Sequence, residues 1–160
     1  MAAEALVFDS ESAERTEALA ARLARELRPG DVVALSGELG AGKTCFVRGL
    51  ARGLGLASRV TSPTFTLMHT YAGTPPLHHL DAWMQGRGEA FLSDGGAEWL
   101  ASDGIAAVEW AERVAEWLPA ARFDVRLEHA GNDRRRVSVA WTGEGDRLAA
   151  WRRELGRSGA

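Results

Sequence analysis

The chain has 160 residues, 46% of them hydrophobic, which predicts one globular domain over residues 1–160. Its net charge of −3 argues against a protein that holds nucleic acid by bulk charge, and we expect no DNA partner. We find neither a signal peptide nor the ~20 apolar residues that a membrane-spanning helix needs, so we expect no membrane contact. Cys45 is the single cysteine, so an intrachain disulfide is excluded and a cytoplasmic location is expected.

Hydrophobic periodicity divides the chain into alternating strands and helices. The predicted strands are 5–8, 32–35, 65–71, 77–80, 105–108, 123–128 and 136–141. The predicted helices are 12–27 (capped by Ser10 or Ser12), 43–54, 111–118 and 146–155, with a loop and a short helix over 84–96. Two of the strands are continuous apolar runs, as in a buried parallel sheet, and the last two flank a Gly-Asn-Asp turn, as in a hairpin. The order predicts an α/β sandwich with a parallel core sheet and added antiparallel hairpin strands.

Residues 37–44 fit G-x-x-x-x-G-K-[ST], the phosphate-binding P-loop pattern. Glycines let such a loop curl so that its N–H groups, and the positive end of the next helix, face an anion. Lys43 would reach the β- and γ-phosphates, and the Thr44 hydroxyl would ligate Mg²⁺. A strand precedes the loop and a helix follows it, which predicts a P-loop NTPase-like three-layer sandwich. The candidate phosphate-binding residues are Gly37, Glu38, Leu39, Gly40, Ala41, Gly42, Lys43 and Thr44.

Lys43 is the only lysine of the chain, since every other basic residue among the nineteen is arginine. A compact ammonium fits inside a backbone nest, where the wider guanidinium fork would not. The composition therefore singles out Lys43 as a residue with a specific role.

Two acidic residues follow apolar strands. Glu109 comes directly after the apolar strand 105–108, which is the position of a Walker-B acid at the carboxyl end of a buried strand. A surface acid at the start of the next helix would fit the same pattern. Asp81 ends strand 77–80 and is either a water-positioning group near the γ-phosphate or a helix N-cap.

Three further polar segments have open interpretations. The hydroxyl-rich residues 61–64 are either a switch segment that orders against a γ-phosphate or a plain turn. The arginines 134–136 are either a solvated hairpin edge or a source of an arginine for the nucleotide or a partner. His78 and His79 face opposite sides of a strand and, with one cysteine in the chain, do not predict a zinc site.

The chain resembles the TsaE (YjeE) family, small ATPases of bacterial tRNA threonylcarbamoyladenosine biosynthesis. The similarity is carried by the P-loop and by Ser-Pro-Thr-Phe-Thr-Leu at 62–67, His-Leu-Asp at 79–81 and Val-Glu-Trp at 108–110. These motifs occur in the family's order and at its spacing. With Pro-Gly-Asp-Val at 29–32, the resemblance covers about residues 10–118.

The resemblance implies ATP and Mg²⁺ as cofactors, with slow hydrolysis. It implies TsaB and TsaD as partners, which transfer the threonylcarbamoyl group to adenosine 37 of tRNA, so that tRNA is reached through the complex. Thr44 and Glu109 would hold Mg²⁺, Asp81 would be the acid needed for hydrolysis, Thr64 would be the switch residue, and Trp110 would lie near the nucleotide.

The chain departs from the family pattern at three places. Cys45 stands where the family usually has threonine, and it can still offer its backbone N–H to the nucleotide. Ala82-Trp83-Met84 replaces the usual Leu-Tyr-Arg after the acid, which removes a basic residue near the site. A family arginine on the late hairpin aligns with Asp133 or Arg134, and we take Arg134 as the candidate nucleotide contact.

Other nucleotide-dependent functions remain open. A small-molecule kinase needs a lid of arginines, for which residues 134–136 are the candidates. A GTPase is disfavoured, because the guanine-reading Asn-Lys-x-Asp motif needs a lysine and the sole lysine is in the P-loop. A pure binding module would use the nucleotide as a structural ligand.

Overall fold

The computed structural model describes residues 4–56, 60–61, 63, 66–100 and 102–158. At its centre is a seven-stranded mixed sheet with the order β1-β7-β6-β2-β5-β4-β3. The strands are β1 Leu6–Ser10, β2 Val32–Ser36, β3 Met68–Tyr71, β4 Leu77–Asp81, β5 Ile105–Glu109, β6 Phe123–His129 and β7 Arg135–Trp141. The pairs β6–β2, β2–β5 and β5–β4 are parallel, and β1–β7, β7–β6 and β3–β4 are antiparallel. The predicted fold class, a parallel core with added antiparallel strands, is confirmed.

Helices and short turns cover both faces of this sheet. One core lies beneath α1 Ala13–Ala24, α2 Lys43–Gly53 and α5 Ala149–Ser158. A second, smaller core lies beneath α3 Arg87–Phe91, α4 Ala97–Leu100 and the turns that follow β5. Among the described residues, no helix has the length and apolar character needed to cross a membrane.

The P-loop helix α2 is fixed in place by close packing on α1. Two glycines of α2 face α1, and a Cβ added at Gly49 would lie 2.4 Å from the Glu17 carbonyl oxygen. At Gly53 the same atom would lie 2.6 Å from the Ala21 carbonyl oxygen. Glycine costs helix stability, but here it lets the two backbones approach and so sets the position of the loop that precedes α2.

Strand alternation places both candidate acids on the face that α2 covers. Ile105 and Ala107 of β5 belong to the core beneath α2, and Glu109 follows at the same parity. On β4, Leu77 belongs to that core and Asp81 follows at the same parity. The register pairs Asp81 with Glu109, so the two carboxylates are neighbours at the carboxyl edge of the sheet.

Two predicted elements were wrong in part. The helix predicted over 111–118 is instead two 3₁₀ turns, Ala111–Arg113 and Ala115–Trp117. They are separated by Val114, which has φ −131° and ψ 19° and buries its side chain in the smaller core. The strand predicted over 65–71 begins at Met68, because Leu67 has φ 68°, which is incompatible with an extended strand.

A partly buried ion pair ties the segment before β2 to the C-terminal region. The Arg147 guanidinium donates to both carboxylate oxygens of Asp31, at 2.6 and 2.8 Å, and to the Glu26 carbonyl oxygen at 2.6 Å. It also packs against the rings of both Phe123 and Trp141. We expect Arg147→Met to lower the free energy of unfolding by about 2–3 kcal/mol, because Asp31 would keep its burial and lose its cation.

Urea unfolding measures this effect, with Arg136→Met as the control. Arg136 pairs with Asp9 at 3.9 Å on an exposed surface, so its loss should cost less than about 0.5 kcal/mol. Equal destabilisation by the two substitutions would contradict the structural role given to Arg147.

Candidate functional site

The loop between β2 and α2 has the backbone of an anion cradle. Gly37, Gly40 and Gly42 have φ of 147°, 78° and 104°, values that side chains rarely tolerate. A Cβ at Gly37 would lie 2.4 Å from the Leu127 carbonyl oxygen, so glycine is required there on space as well. Among the described residues no side chain caps the start of α2, which leaves the first turn of that helix suited to an anion.

Lys43 lies in the first turn of α2 and is only 5% exposed. Its Nζ donates to the carbonyl oxygens of Gly37 at 2.5 Å and Glu38 at 2.9 Å, and it lies 3.8 Å from the centre of the Trp110 ring. Burial lowers the pKa of the Lys43 ammonium, and the nearby charge of Glu109 opposes that shift. The ammonium is thus held at the loop, where anionic oxygens could take the place of the carbonyl oxygens.

Glu109 is the residue on which the site's polar contacts converge. It is 3% exposed, which rules out the surface acid considered above. The Thr44 hydroxyl lies 3.0 Å from both of its carboxylate oxygens. His79 Nε2 also lies 2.5 Å from one of these oxygens, Glu109 Oε2. P-loop and strand-end residues are therefore joined directly.

Asp81 lies beside Glu109 at the end of β4 and is 2% exposed. Its Oδ1 accepts a hydrogen bond from the Trp83 backbone N–H at 2.8 Å, two residues ahead. This contact is a local turn and not the start of a helix, so the N-cap interpretation was wrong.

A cavity of about 260 Å³ opens between the loop and the strand ends. Its lining is Leu39, Gly40, Gly42, Lys43, Thr44, Cys45, Asp81, Trp83, Glu109 and Trp110. Within the described residues, three or more His, Cys, Asp or Glu side chains do not gather into a metal cluster. A hydroxyl and one or two carboxylates instead suit Mg²⁺, which is usually completed by water and substrate phosphates.

An aromatic and arginine stack borders the cavity. Trp110 has φ 58°, an uncommon value for a bulky residue, which brings its ring over Lys43. Its ring centre is 4.6 Å from that of Trp83, and the Arg113 guanidinium lies over both rings and donates to the Trp83 carbonyl oxygen. Position 84 is Met in this chain, where the family pattern has a basic residue. Arg113, in the segment after β5, places a basic side chain beside the cavity instead.

Arg135, not Arg134, is the hairpin arginine that contacts the P-loop. Its Nε and Nη2 each lie 3.2 Å from a loop carbonyl oxygen, those of Ala41 and Gly40. Arg134 is exposed in the turn, so its contact with a nucleotide stays a prediction. The alternation of Val137 and Val139, both buried on the α2 face, is the sequence signal that places Arg135 on that face.

Cys45 and Thr64 are the two remaining predicted site residues. The Cys45 thiol donates to the Ala13 carbonyl oxygen at 3.4 Å, and burial raises the pKa of this thiol. Its side chain thus packs on α1, which leaves the backbone N–H as the group it offers the loop. Thr64 lies outside the described residues.

Comparisons with known proteins find one family along most of the chain. The family model for "Threonylcarbamoyl adenosine biosynthesis protein TsaE" matches residues 10–137. TsaE proteins from Treponema pallidum and Bacillus subtilis, both named for tRNA threonylcarbamoyladenosine biosynthesis, are 41% and 40% identical to the chain. These alignments cover 82% and 90% of this chain and 97% and 89% of the relatives.

A solved structure extends the similarity to the whole fold. The crystal structure of YdiB from Bacillus subtilis superposes with a TM-score of 0.76 at 34% identity, covering 100% of this chain and 99% of that one. Family model, relatives and fold agree over most of the chain, and the chain belongs to the TsaE family.

Proposed function

We propose that this protein binds ATP with Mg²⁺ and hydrolyses it slowly, as an accessory protein for threonylcarbamoyl modification of adenosine 37 in tRNA. The observation that carries the proposal is the pairing of two buried carboxylates, Asp81 and Glu109, beside the P-loop residues Lys43 and Thr44. A phosphate cradle alone supports binding, whereas buried acids at its mouth supply what hydrolysis needs. The threonylcarbamoyl modification of a tRNA adenosine is taken from the names of the relatives, and position 37 and the accessory role from the family resemblance.

Each side chain has a role that its position permits. Lys43 and the loop N–H groups would bind the β- and γ-phosphates, and Thr44 with Glu109 would hold Mg²⁺. The metal, when bound, neutralises charge on the phosphates. Asp81 orients the attacking water and accepts its proton, and Trp110 borders the nucleotide. Contacts from Thr64, Cys45 and Arg134 are part of the same proposal.

ATP is preferred to GTP and an ATPase to a kinase. The guanine-reading motif needs a lysine, and Lys43 is already in the P-loop. A kinase lid needs arginines that can close over the phosphates, but the Arg135 guanidinium is bound to loop carbonyl oxygens. Because Asp81 and Glu109 face the cavity, we also disfavour a binding module that uses the nucleotide only as a structural ligand.

The partner proposal is TsaB and TsaD, with tRNA reached through their complex. Co-purification of the chain with both proteins, with and without ATP, tests it. We expect retention of the chain that depends on ATP. Absence of retention in both conditions, with a chain that binds ATP, would remove the partners from the proposal and leave the ATPase.

The hydrogen bonds from Arg135 to the carbonyl oxygens of the P-loop lead to a prediction for ATP binding. We expect Arg135→Met to weaken ATP binding about five-fold, because two hydrogen bonds worth roughly 1 kcal/mol together no longer hold the loop. Calorimetric titration with ATP and Mg²⁺ measures the change. Arg136→Met, on the opposite face of β7, is the matched control and should bind like the unaltered chain.

A further inference from the structure

The proposed metal ligand Glu109 has a buried partner that the proposed function does not use. His79 is 0% exposed, and its Nε2 lies 2.5 Å from Glu109 Oε2. It reaches Glu109 diagonally, because the register places Asp81 directly opposite Glu109 and His79 two residues earlier on the same face. Its second ring nitrogen, Nδ1, is buried and has no hydrogen-bond partner among the described residues.

Burial of the ring favours one direction for this hydrogen bond. With His79 Nε2 as the donor to the Glu109 carboxylate, the unpartnered Nδ1 is a bare lone pair, which is less costly to bury than an unpartnered N–H. The ring therefore has one polar contact in the described structure, and that contact is with Glu109.

The contacts of Thr44 and His79 with Glu109 would respond differently to a bound metal. Thr44 is a proposed Mg²⁺ ligand, so its hydroxyl oxygen would be shared with the metal. His79 is 0% exposed on β4, where water cannot replace its N–H. A short, charge-assisted bond in that position restricts the carboxylate to one orientation.

We propose that His79 is a positioning residue that orients the Glu109 carboxylate for Mg²⁺ and thereby sets the metal affinity of the site. This inference rests on the proposed function. Partners of this kind typically change metal affinity by about 10–100-fold when removed. Metal-free nucleotide binding, which depends on Lys43 and the loop amides, should be unchanged.

His78 offers an internal comparison. It is also buried on β4, but it faces the smaller core, with Nδ1 3.1 Å from the Thr70 hydroxyl and its ring 3.7 Å from that of Trp99. A substitution there perturbs the packing of the same strand without touching Glu109. His78→Met is therefore the matched control for packing.

The test is direct Mn²⁺ binding, followed by electron paramagnetic resonance in the presence of a non-hydrolysable ATP analogue. His79→Met removes the donor, and His79→Gln keeps an N–H donor on a chain of equal length. We expect Mn²⁺ affinity about 10–100-fold weaker in His79→Met, within about three-fold of the unaltered chain in His79→Gln, and unchanged in His78→Met. Binding of the analogue in EDTA should be equal in all four proteins.

The outcomes separate the inference from the proposed function. If the unaltered chain binds no Mn²⁺ with the analogue, the proposed function fails and the inference fails with it. If it binds and His79→Met binds equally well, or His79→Gln is as weak as His79→Met, the inference alone is overturned. Should His79→Met not fold, His79→Asn takes its place, since its shorter amide cannot reach Glu109: Mn²⁺ affinity at least about 10-fold weaker supports the inference, and affinity equal to that of the unaltered chain overturns it.

Discussion

Lys43→Ala is expected to weaken ATP binding at least about 100-fold, which corresponds to roughly 3 kcal/mol of charge-assisted hydrogen bonding to two phosphates. In the structure the ammonium already lies at the loop, bonded to the carbonyl oxygens of Gly37 and Glu38. Its present partners are weak acceptors compared with phosphate oxygens, so the ammonium can exchange them for a nucleotide.

Equilibrium binding of a fluorescent ATP analogue measures this loss. Lys43→Arg is the matched variant, since it keeps the charge but presents a wider, planar fork that the glycine nest cannot enclose. We expect both variants to lose binding and to keep the melting temperature of the unaltered chain within a few degrees. Tight binding by Lys43→Ala would refute the assignment of the loop as the phosphate site.

Asp81→Asn is expected to keep ATP binding within about two-fold and to lower turnover about 100-fold or more, the usual contribution of a general base. Asparagine retains the oxygen that accepts the Trp83 N–H and has nearly the same shape, so the turn after β4 should survive. Asp81→Ala removes that acceptor too, and should give the same loss of turnover.

Single-turnover release of phosphate measures the effect, with binding measured in parallel. Asp94→Asn is a suitable control, because Asp94 is exposed in the segment between α3 and α4, outside the cavity. Hydrolysis that is unchanged both in Asp81→Asn and in a Glu109→Gln variant would favour a module that uses nucleotide only as a structural ligand.

Local sequence patterns were enough to predict much of this site. The P-loop is a contiguous motif, and the apolar runs before Asp81 and Glu109 predicted strand ends in a parallel sheet. The alternation of Val137 and Val139 also assigns Arg135 to the face of the P-loop. Arg134 is the candidate from the family alignment, and its contact with a nucleotide stays a prediction.

Other features depend on tertiary register and could not be predicted from local pattern. The contact of His79 with Glu109 requires β4 to lie beside β5 with Asp81 opposite Glu109. The helical spacing of residues 111–118 was misleading, because Val114 turns into the smaller core and divides the segment into two turns.

We propose that a nucleotide at the P-loop is hydrolysed by water that this chain's own carboxylates activate. The most direct test incubates the purified chain with ATP and Mg²⁺, without any acceptor or partner protein, and quantifies ADP and free phosphate. We expect slow formation of both in equal amounts, abolished by EDTA and by Asp81→Asn. A chain that binds ATP yet releases no phosphate, or that turns over only when an acceptor is added, would contradict it.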